Sequence, residues 1–203
     1  MMSPPFISLI VIFISTVTNA AAPKPLVFAH FMPWFQFPQN AYHWPPQSGT
    51  YYLPLIGYYS SQNETVMEWQ LSLMKYAGID GVIVDWYGTA NQNDYPFAKQ
   101  TTDLLWNKIQ TQFPSLQLAI CYDFNSHANA EIFADSMQFL KANYLHAPQY
   151  LKYSDGNPIM LVFPSYSSDA TLQTPNGMNA ALTKLNLTNL YVYAEFRFAN
   201  MCF

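Results

Sequence analysis

The sequence predicts an α/β fold with a parallel sheet, in which five strands alternate with helices along 203 residues. Short apolar runs bounded by turn residues alternate with longer segments whose apolar residues recur every three or four positions. The run Val82–Val84 is continuously apolar, which is typical of a parallel strand that is buried on both faces. Both an open doubly wound sheet and a closed barrel satisfy this alternation with right-handed crossovers.

The first half of the chain supplies two strands and two helices. Pro25–Trp34 is predicted as the first strand, and Ile79–Gly88 contains the second. The helix between them is capped by Asn63 or a preceding Ser and ends at Gly78. Apolar residues at three- and four-residue steps are predicted to share one face of this helix: Val66, Trp69, Leu73, Met74 and Ala77. Phe97–Phe113 is predicted as the second helix. Residues 35–60 show no periodicity, and a loop of that length is usually functional.

The second half repeats the alternation. Further strands are predicted at Leu116–Tyr122, Pro158–Phe163 and Leu190–Ala194, and helices at Asn129–Leu145 and Gly177–Leu185. Asp155-Gly156-Asn157 is predicted as a turn before the fourth strand. A complete (β/α)8 barrel usually takes about 250 residues and eight strands. We therefore expect residues 24–203 to form an incomplete (β/α)8 barrel of about five units.

The composition favours a carbohydrate partner and disfavours nucleic acid. Charged residues make up only 10% of the chain, against about 25% in an average domain, so amides and hydroxyls must supply the polar surface. Aromatic residues reach 17%, and aromatic rings beside amide groups suit the flat faces and hydroxyls of sugars. A dense aromatic core explains the same number. The net charge of −4 gives no basic surface for nucleic acid.

The first twenty residues are predicted to be a secretory signal peptide, which makes the protein secreted and extracellular. Phe6–Val17 is a largely apolar run that is too short to span a bilayer. Small residues follow, with cleavage expected after Ala20 or Ala21. The alternative is an uncleaved anchor. No later segment is long and apolar enough to suggest stable membrane insertion of the mature chain.

Two further patterns fit the secretory route. The triplets that begin at Asn63 and Asn186 are N-glycosylation sequons, so we expect glycans at both asparagines. The two cysteines, Cys121 and Cys202, do not define a disulfide framework. Whether they pair stays open.

Three carboxylates are placed where catalytic groups of barrel enzymes gather, at the C-terminal ends of strands. They are Asp85, Asp123 and Glu195. Glycoside hydrolysis typically uses two carboxyl groups that flank the bond, so these three are the candidate catalytic residues. The alternative for each is an acid that caps the next helix or pairs with an arginine.

Aromatic and imidazole side chains near the same ends are the candidate substrate-binding residues: His30, Trp34, His43, Trp44, Trp86 and Tyr87. Each of them could instead pack in the core or against the rim of the barrel. The four histidines show no paired metal-ligand spacing, and no G-x-S-x-G motif supports a nucleophilic serine. We expect neither a metal nor a cofactor.

Several of these segments together resemble a known group of enzymes. The resemblance is carried by Val27–Met32, His43-Trp44, Pro54–Ser61, Glu68–Leu71, Ala77–Gly88, Pro148–Leu151 and Asp155–Met160. They are similar to the N-terminal half of glycoside hydrolase family 71 and family 99-like proteins. The resemblance implies a (β/α)8 barrel that needs no metal for its chemistry. Family 71 members cleave α-1,3-glucan, and family 99 members are endo-acting on α-mannosides.

The resemblance does not extend to the catalytic pair. Family 99 carboxylates resemble a Glu-x-x-Glu pair on a late strand, and this chain has no such pair. Only Asp85-Trp86-Tyr87 and His30 carry over, as residues that line the active site. The sequence therefore predicts a secreted glycoside hydrolase-like protein that acts on an α-linked glucan or mannan. The alternatives are a non-catalytic or truncated glycan-binding paralogue, and a fragment of a longer reading frame.

Overall fold

A computed structural model describes residues 25–38, 43–44, 54–91, 93–124, 129–163, 172 and 174–194. The elements are β1 Phe28–Phe31, α1 Glu64–Tyr76, β2 Gly81–Trp86, α2 Tyr95–Thr111, β3 Gln117–Asp123, α3 Ala130–Asn143, β4 Ile159–Phe163, α4 Pro175–Lys184 and β5 Tyr191–Ala194. Their order confirms the predicted alternation. The signal peptide predicted at residues 1–20, Glu195 and Cys202 lie outside the described residues.

The strands form one five-stranded sheet in the order β1-β2-β3-β4-β5. Every neighbouring pair is parallel. A doubly wound sheet reverses its strand order at a switch point, and the described sheet has no such reversal. Sequential parallel strands with right-handed crossovers place all helices on one face. The described residues therefore form four successive β/α units and a fifth strand of an incomplete (β/α)8 barrel.

The two faces of the sheet differ in burial. The helix-covered face carries Val82, Val84 and Trp86, each no more than 1% exposed, in one core cluster with residues of all four helices. The opposite face is the side that a barrel turns inward, and we refer to it as the inner face. It is formed by Phe28, His30, Ile83, Asp85, Ala119, Cys121, Asp123, Ile159, Leu161, Phe163, Tyr191 and Tyr193.

The predicted caps of α1 are confirmed, and α3 begins with a cap of the same kind. The Asn63 side chain accepts a hydrogen bond from the backbone N–H of Val66 at 3.3 Å, and Asn129 accepts one from Ile132 at 2.9 Å. Gly78, at a φ of 75°, takes the left-handed conformation that ends α1. Helices α2 and α4 begin two residues earlier than predicted, because each accommodates a proline in its first turn.

The predicted apolar face of α1 is only partly buried: Met74 packs against the core. Met67 and Leu71 are the buried residues of this helix, whereas Trp69 is 44% exposed and Leu73 is 45% exposed. The predicted residues form a stripe that lies beside the buried one, because α1 carries apolar residues around much of its circumference.

In the described part of the chain, no helix is long and apolar enough to cross a membrane.

Candidate functional site

Three of the predicted residues form a diagonal series across β1, β2 and β3 on the inner face of the sheet. His30 pairs with Ile83 of β2, Asp85 pairs with Cys121 of β3, and Asp123 pairs with Phe163. Asp85 therefore lies on the strand next to that of His30 and two residues closer to the C-terminal ends of the strands. Asp123 has the same relation to Asp85. With strands about 4.8 Å apart and a rise of about 3.3 Å per residue, neighbouring members have Cα atoms about 8 Å apart. That spacing suits groups that contact one sugar unit or adjacent units.

Tyr87 joins this series directly after β2. The β2–β3 register ends with Trp86 beside Tyr122, and its continuation by one residue places Tyr87 beside Asp123. Burial raises the pKa of the Tyr87 hydroxyl, and the negative charges of Asp85, Asp94 and Asp123 raise it further. The hydroxyl is therefore protonated at neutral pH and can donate a hydrogen bond among three carboxylates.

An aromatic wall adjoins the Tyr87 hydroxyl. The rings of Trp34 and Tyr87 are stacked, with centroids 5.3 Å apart and planes 4° from parallel. The His43 ring lies 5.0 Å from that of Trp34, and its Nε2 lies 2.7 Å from Oδ2 of Asp94. The Asp94 side chain is only 8% exposed, against 29% for His43. Trp34 thus covers one face of Tyr87, and the rings of Trp34, His43 and Tyr87 form an aromatic surface beside Asp94.

Trp44 supports the rim from a second aromatic cluster. Its ring lies 4.4 Å from that of Phe35 and 5.0 Å from that of Tyr58. Its Nε1 donates a hydrogen bond to the carbonyl oxygen of Tyr59 at 2.9 Å. Backbone N–H of Ser61 donates to the Phe35 carbonyl at 2.8 Å, which ties the two ends of the long loop together. Trp44 therefore connects Phe35, at the start of this segment, with Tyr58 and Tyr59 near its end.

Trp86 lies on the other side of the sheet. It is 1% exposed, stacked on Phe139 with centroids 6.1 Å apart and edge-on to Tyr122 at 6.0 Å. Successive side chains of a strand point to opposite faces, so Asp85 and Trp86 cannot both line the inner face. The expectation that Trp86 contacts substrate is corrected: it fills the core between the sheet and the helices.

The contacts described for this site involve none of the remaining predicted residues. Glu195 follows β5 and is outside the described residues, and Asn63 and Asn186 are exposed on the surface. In the described ranges, no group of three His, Cys, Asp or Glu residues is placed to hold a metal ion. The site contains one residue that sequence reasoning missed, Asp94, the N-cap of α2. An acid directly before Tyr95-Pro96 was the available signal, since proline favours the first turn of a helix.

Comparison with known proteins places the chain beside endo-α-mannosidases. No family model matches the sequence. Mouse glycoprotein endo-alpha-1,2-mannosidase is 23% identical over 151 residues, which are 70% of this chain and 32% of that protein. The chain therefore spans about a third of the length of the mouse relative.

Solved structures show the same fold. The GH99 endo-alpha-mannosidase from Bacteroides thetaiotaomicron in complex with BIS-TRIS-propane superposes with a TM-score of 0.56 at 15% identity, covering 68% of this chain and 42% of that one. A glycoside hydrolase-like protein gives a TM-score of 0.56 at 15% identity, with 86% and 54% covered. The predicted resemblance to family 71 and 99-like proteins and the incomplete barrel are confirmed.

Proposed function

We propose that this chain supplies the N-terminal part of a secreted glycoside hydrolase site for an α-linked mannan or glucan. The observation that carries the proposal is the convergence of Asp85, Tyr87 and Asp123 at the C-terminal ends of β2 and β3 on the inner face. Barrel enzymes place their catalytic groups at these ends. The mouse relative and the bacterial neighbour are both named endo-alpha-mannosidases, which supports an α-mannoside as substrate.

The chemistry of the cluster matches this class of substrate. Carboxylates accept hydrogen bonds from sugar hydroxyls, and a protonated tyrosine donates to a sugar oxygen. Asp85 and Asp123 are the described candidates for the acid and base roles that glycoside hydrolysis requires, with Glu195 as the third candidate. Trp34 and His43 offer ring surface beside them, and His30 lies one step lower on the inner face.

A second candidate function is glycan binding without hydrolysis. It is favoured by one fact: the sequence contains no Glu-x-x-Glu pair. In this case the same cluster binds the glycan, and no bond is cleaved.

The test compares Asp85→Asn and Asp123→Asn with the unmodified chain, and uses Asp135→Asn as control. Asp135 is an exposed residue of α3, so its substitution removes one charge away from the strand ends. Release of reducing ends from α-mannan and α-1,3-glucan is measured, together with binding of the same glycans by calorimetry. We expect each strand-end substitution to lower release by about 10²–10⁴-fold, the range for loss of an acid–base group, and the control to leave it unchanged.

Each other outcome has a defined meaning. Glycan binding that is lost in Asp85→Asn, without any reducing-end release by the unmodified chain, selects the binding function. Absence of both binding and release in the folded, unmodified chain refutes both functions. Equal effects of Asp85→Asn and Asp135→Asn refute the assignment of the site to the strand ends.

A further inference from the structure

A pocket of about 270 Å³ lies at the end of the sheet opposite the candidate functional site. Pro158, which precedes β4, and Leu190, which precedes β5, both line it. Its volume is just below the roughly 300 Å³ at which pockets for drug-sized ligands begin. The occupant that it fits is therefore about the size of one monosaccharide.

One of the two predicted glycosylation sequons forms part of this pocket. Asn186 and Thr188, the first and third residues of the sequon, are both lining residues. Asn186 is exposed and has a φ of 54°, and its backbone N–H donates a hydrogen bond to the Thr183 carbonyl. The sequon is thus held in a tight turn, and a sugar attached to Asn186 starts at the pocket itself.

The charged groups of the pocket favour a neutral polar ligand over an anion. Lys141 Nζ donates to the carbonyl oxygens of Leu185 and Asn186, each at 3.2 Å, and Lys152 Nζ donates to that of His146 at 3.3 Å. These carbonyls follow the ends of α4 and α3, where the helix dipole is negative. The positive charge of each lysine is therefore offset by a helix end.

The pocket also offers both surfaces that a pyranose ring needs. Leu187 is 7% exposed and Leu190 is 8% exposed, and these leucines provide an apolar wall for the C–H face of a sugar. Each lysine ammonium has three N–H donors, more than the carbonyl bonds described above require, and Asn157 adds an amide.

We propose that the first N-acetylglucosamine of an N-linked glycan on Asn186 occupies this pocket and stabilises the packing of α3 against the loop before β5. Glycan transfer joins Nδ2 of Asn186 to the anomeric carbon of the sugar. The bond from that carbon to the diphosphate of a lipid-linked oligosaccharide donor breaks, and one amide proton is released. The proposal rests on secretory expression and is independent of any hydrolytic activity.

The test removes each glycan by changing the third residue of its sequon. The full chain is secreted from eukaryotic cells as Thr188→Ala and as Thr188→Ser, and only the serine variant keeps the sequon. Thr188 is preferred to Asn186 because the φ of 54° tolerates asparagine better than glutamine. Thr65→Ala and Thr65→Ser form the matched control, since Asn63 is exposed at the start of α1 and does not line the pocket.

Intact mass gives glycan occupancy, and the melting temperature gives the effect on stability. We expect Thr188→Ala to melt about 2–4 °C below Thr188→Ser, the shift for loss of one modest interaction in a chain of this length. Thr65→Ala and Thr65→Ser should melt together. Trimming the glycans to one N-acetylglucosamine should leave the melting temperature of Thr188→Ser unchanged, because the sugar in the pocket remains.

A double-mutant cycle locates the sugar in the pocket. Lys152→Ala should lower the melting temperature more in the Thr188→Ser background than in the Thr188→Ala background, because the contact exists only with the glycan. Equal effects in both backgrounds would overturn the proposal. An unoccupied Asn186 in the secreted protein, or equal melting of Thr188→Ala and Thr188→Ser, would overturn it as well.

Discussion

Replacing Trp86 by alanine tests whether this residue belongs to the core or to the site. Trp86 is 1% exposed and packs against Phe139 and Tyr122. Removal of a buried tryptophan side chain typically destabilises a protein by about 3–5 kcal/mol. In a chain of 150–250 residues, about 1 kcal/mol lowers the melting temperature by about 2–4 °C. We therefore expect a decrease of about 6–20 °C.

The melting temperature is measured by thermal unfolding and the free energy of unfolding by urea titration, both followed by circular dichroism, with Trp69→Ala as matched control. The control also removes a tryptophan, but Trp69 is 44% exposed on α1. We therefore expect Trp69→Ala to lower the free energy of unfolding by about 1 kcal/mol or less. If Trp69→Ala lowers the free energy of unfolding as much as Trp86→Ala or more, the assignment of Trp86 to the core and of Trp69 to the exposed side of α1 is refuted.

A phenylalanine at position 86 separates packing from hydrogen bonding. Nε1 of Trp86 is buried and has no hydrogen-bond partner among the residues that the structure describes. A buried donor without a partner costs about 1–3 kcal/mol, and Trp86→Phe removes that donor while it keeps an aromatic ring. We expect Trp86→Phe to lower the free energy of unfolding by about 1 kcal/mol in total, well below the effect of Trp86→Ala. Equal losses in the two variants would contradict the role of the ring in packing.

Two further predictions concern the sheet and the helices. A Cβ at Gly81 would lie 2.4 Å from the Gln117 carbonyl oxygen. Gly81→Ala should therefore lower the free energy of unfolding by about 1–3 kcal/mol in urea titrations, and a neutral effect would contradict the β2–β3 register. The hydrogen bond from Lys108 holds the pKa of the Glu68 carboxyl below its ordinary value of 4.5. The contact between Lys108 and Glu68 therefore stabilises the folded state above pH 4.5, and this stabilisation is lost as the pH falls through the lowered pKa. The difference in urea midpoint between wild type and Glu68→Gln should shrink from pH 7 toward about pH 3, and a constant difference would contradict this.

The strand-end series could be predicted because it depends only on local sequence and one general rule. Carboxyl ends of parallel strands meet at one edge of the sheet, so Asp85 and Asp123 were expected to lie together. Strict alternation along β2 also separates Asp85 from Trp86, so the sequence already contained the information that corrects Trp86. The error came from grouping neighbours in sequence that point to opposite faces.

The pairing of His43 with Asp94 could not be predicted in the same way. The two residues are 51 positions apart, one in the long loop and one at the start of α2. Neither lies in a repeating pattern, and the loop conformation that joins them depends on tertiary contacts such as those of Trp44 with Phe35. Contacts between a loop and a helix end leave no periodic signal in the sequence.

The partial exposure of the apolar face of α1 has a physical explanation in the position of this helix within the sheet order. In the described sheet, β1 and β5 are the two edge strands, and exposed apolar side chains occur on their units: Trp69, Leu73, Tyr76, Tyr191 and Tyr193. The interior units instead bury residues such as Leu105 of α2 and Phe133 of α3, at 0% and 1% exposure. Periodicity shows that a helix side is apolar, whereas burial also requires a neighbouring element on that side. For α1, the stripe of Met67 and Leu71 has the sheet as its neighbour, and the stripe of Trp69 and Leu73 is the one left exposed.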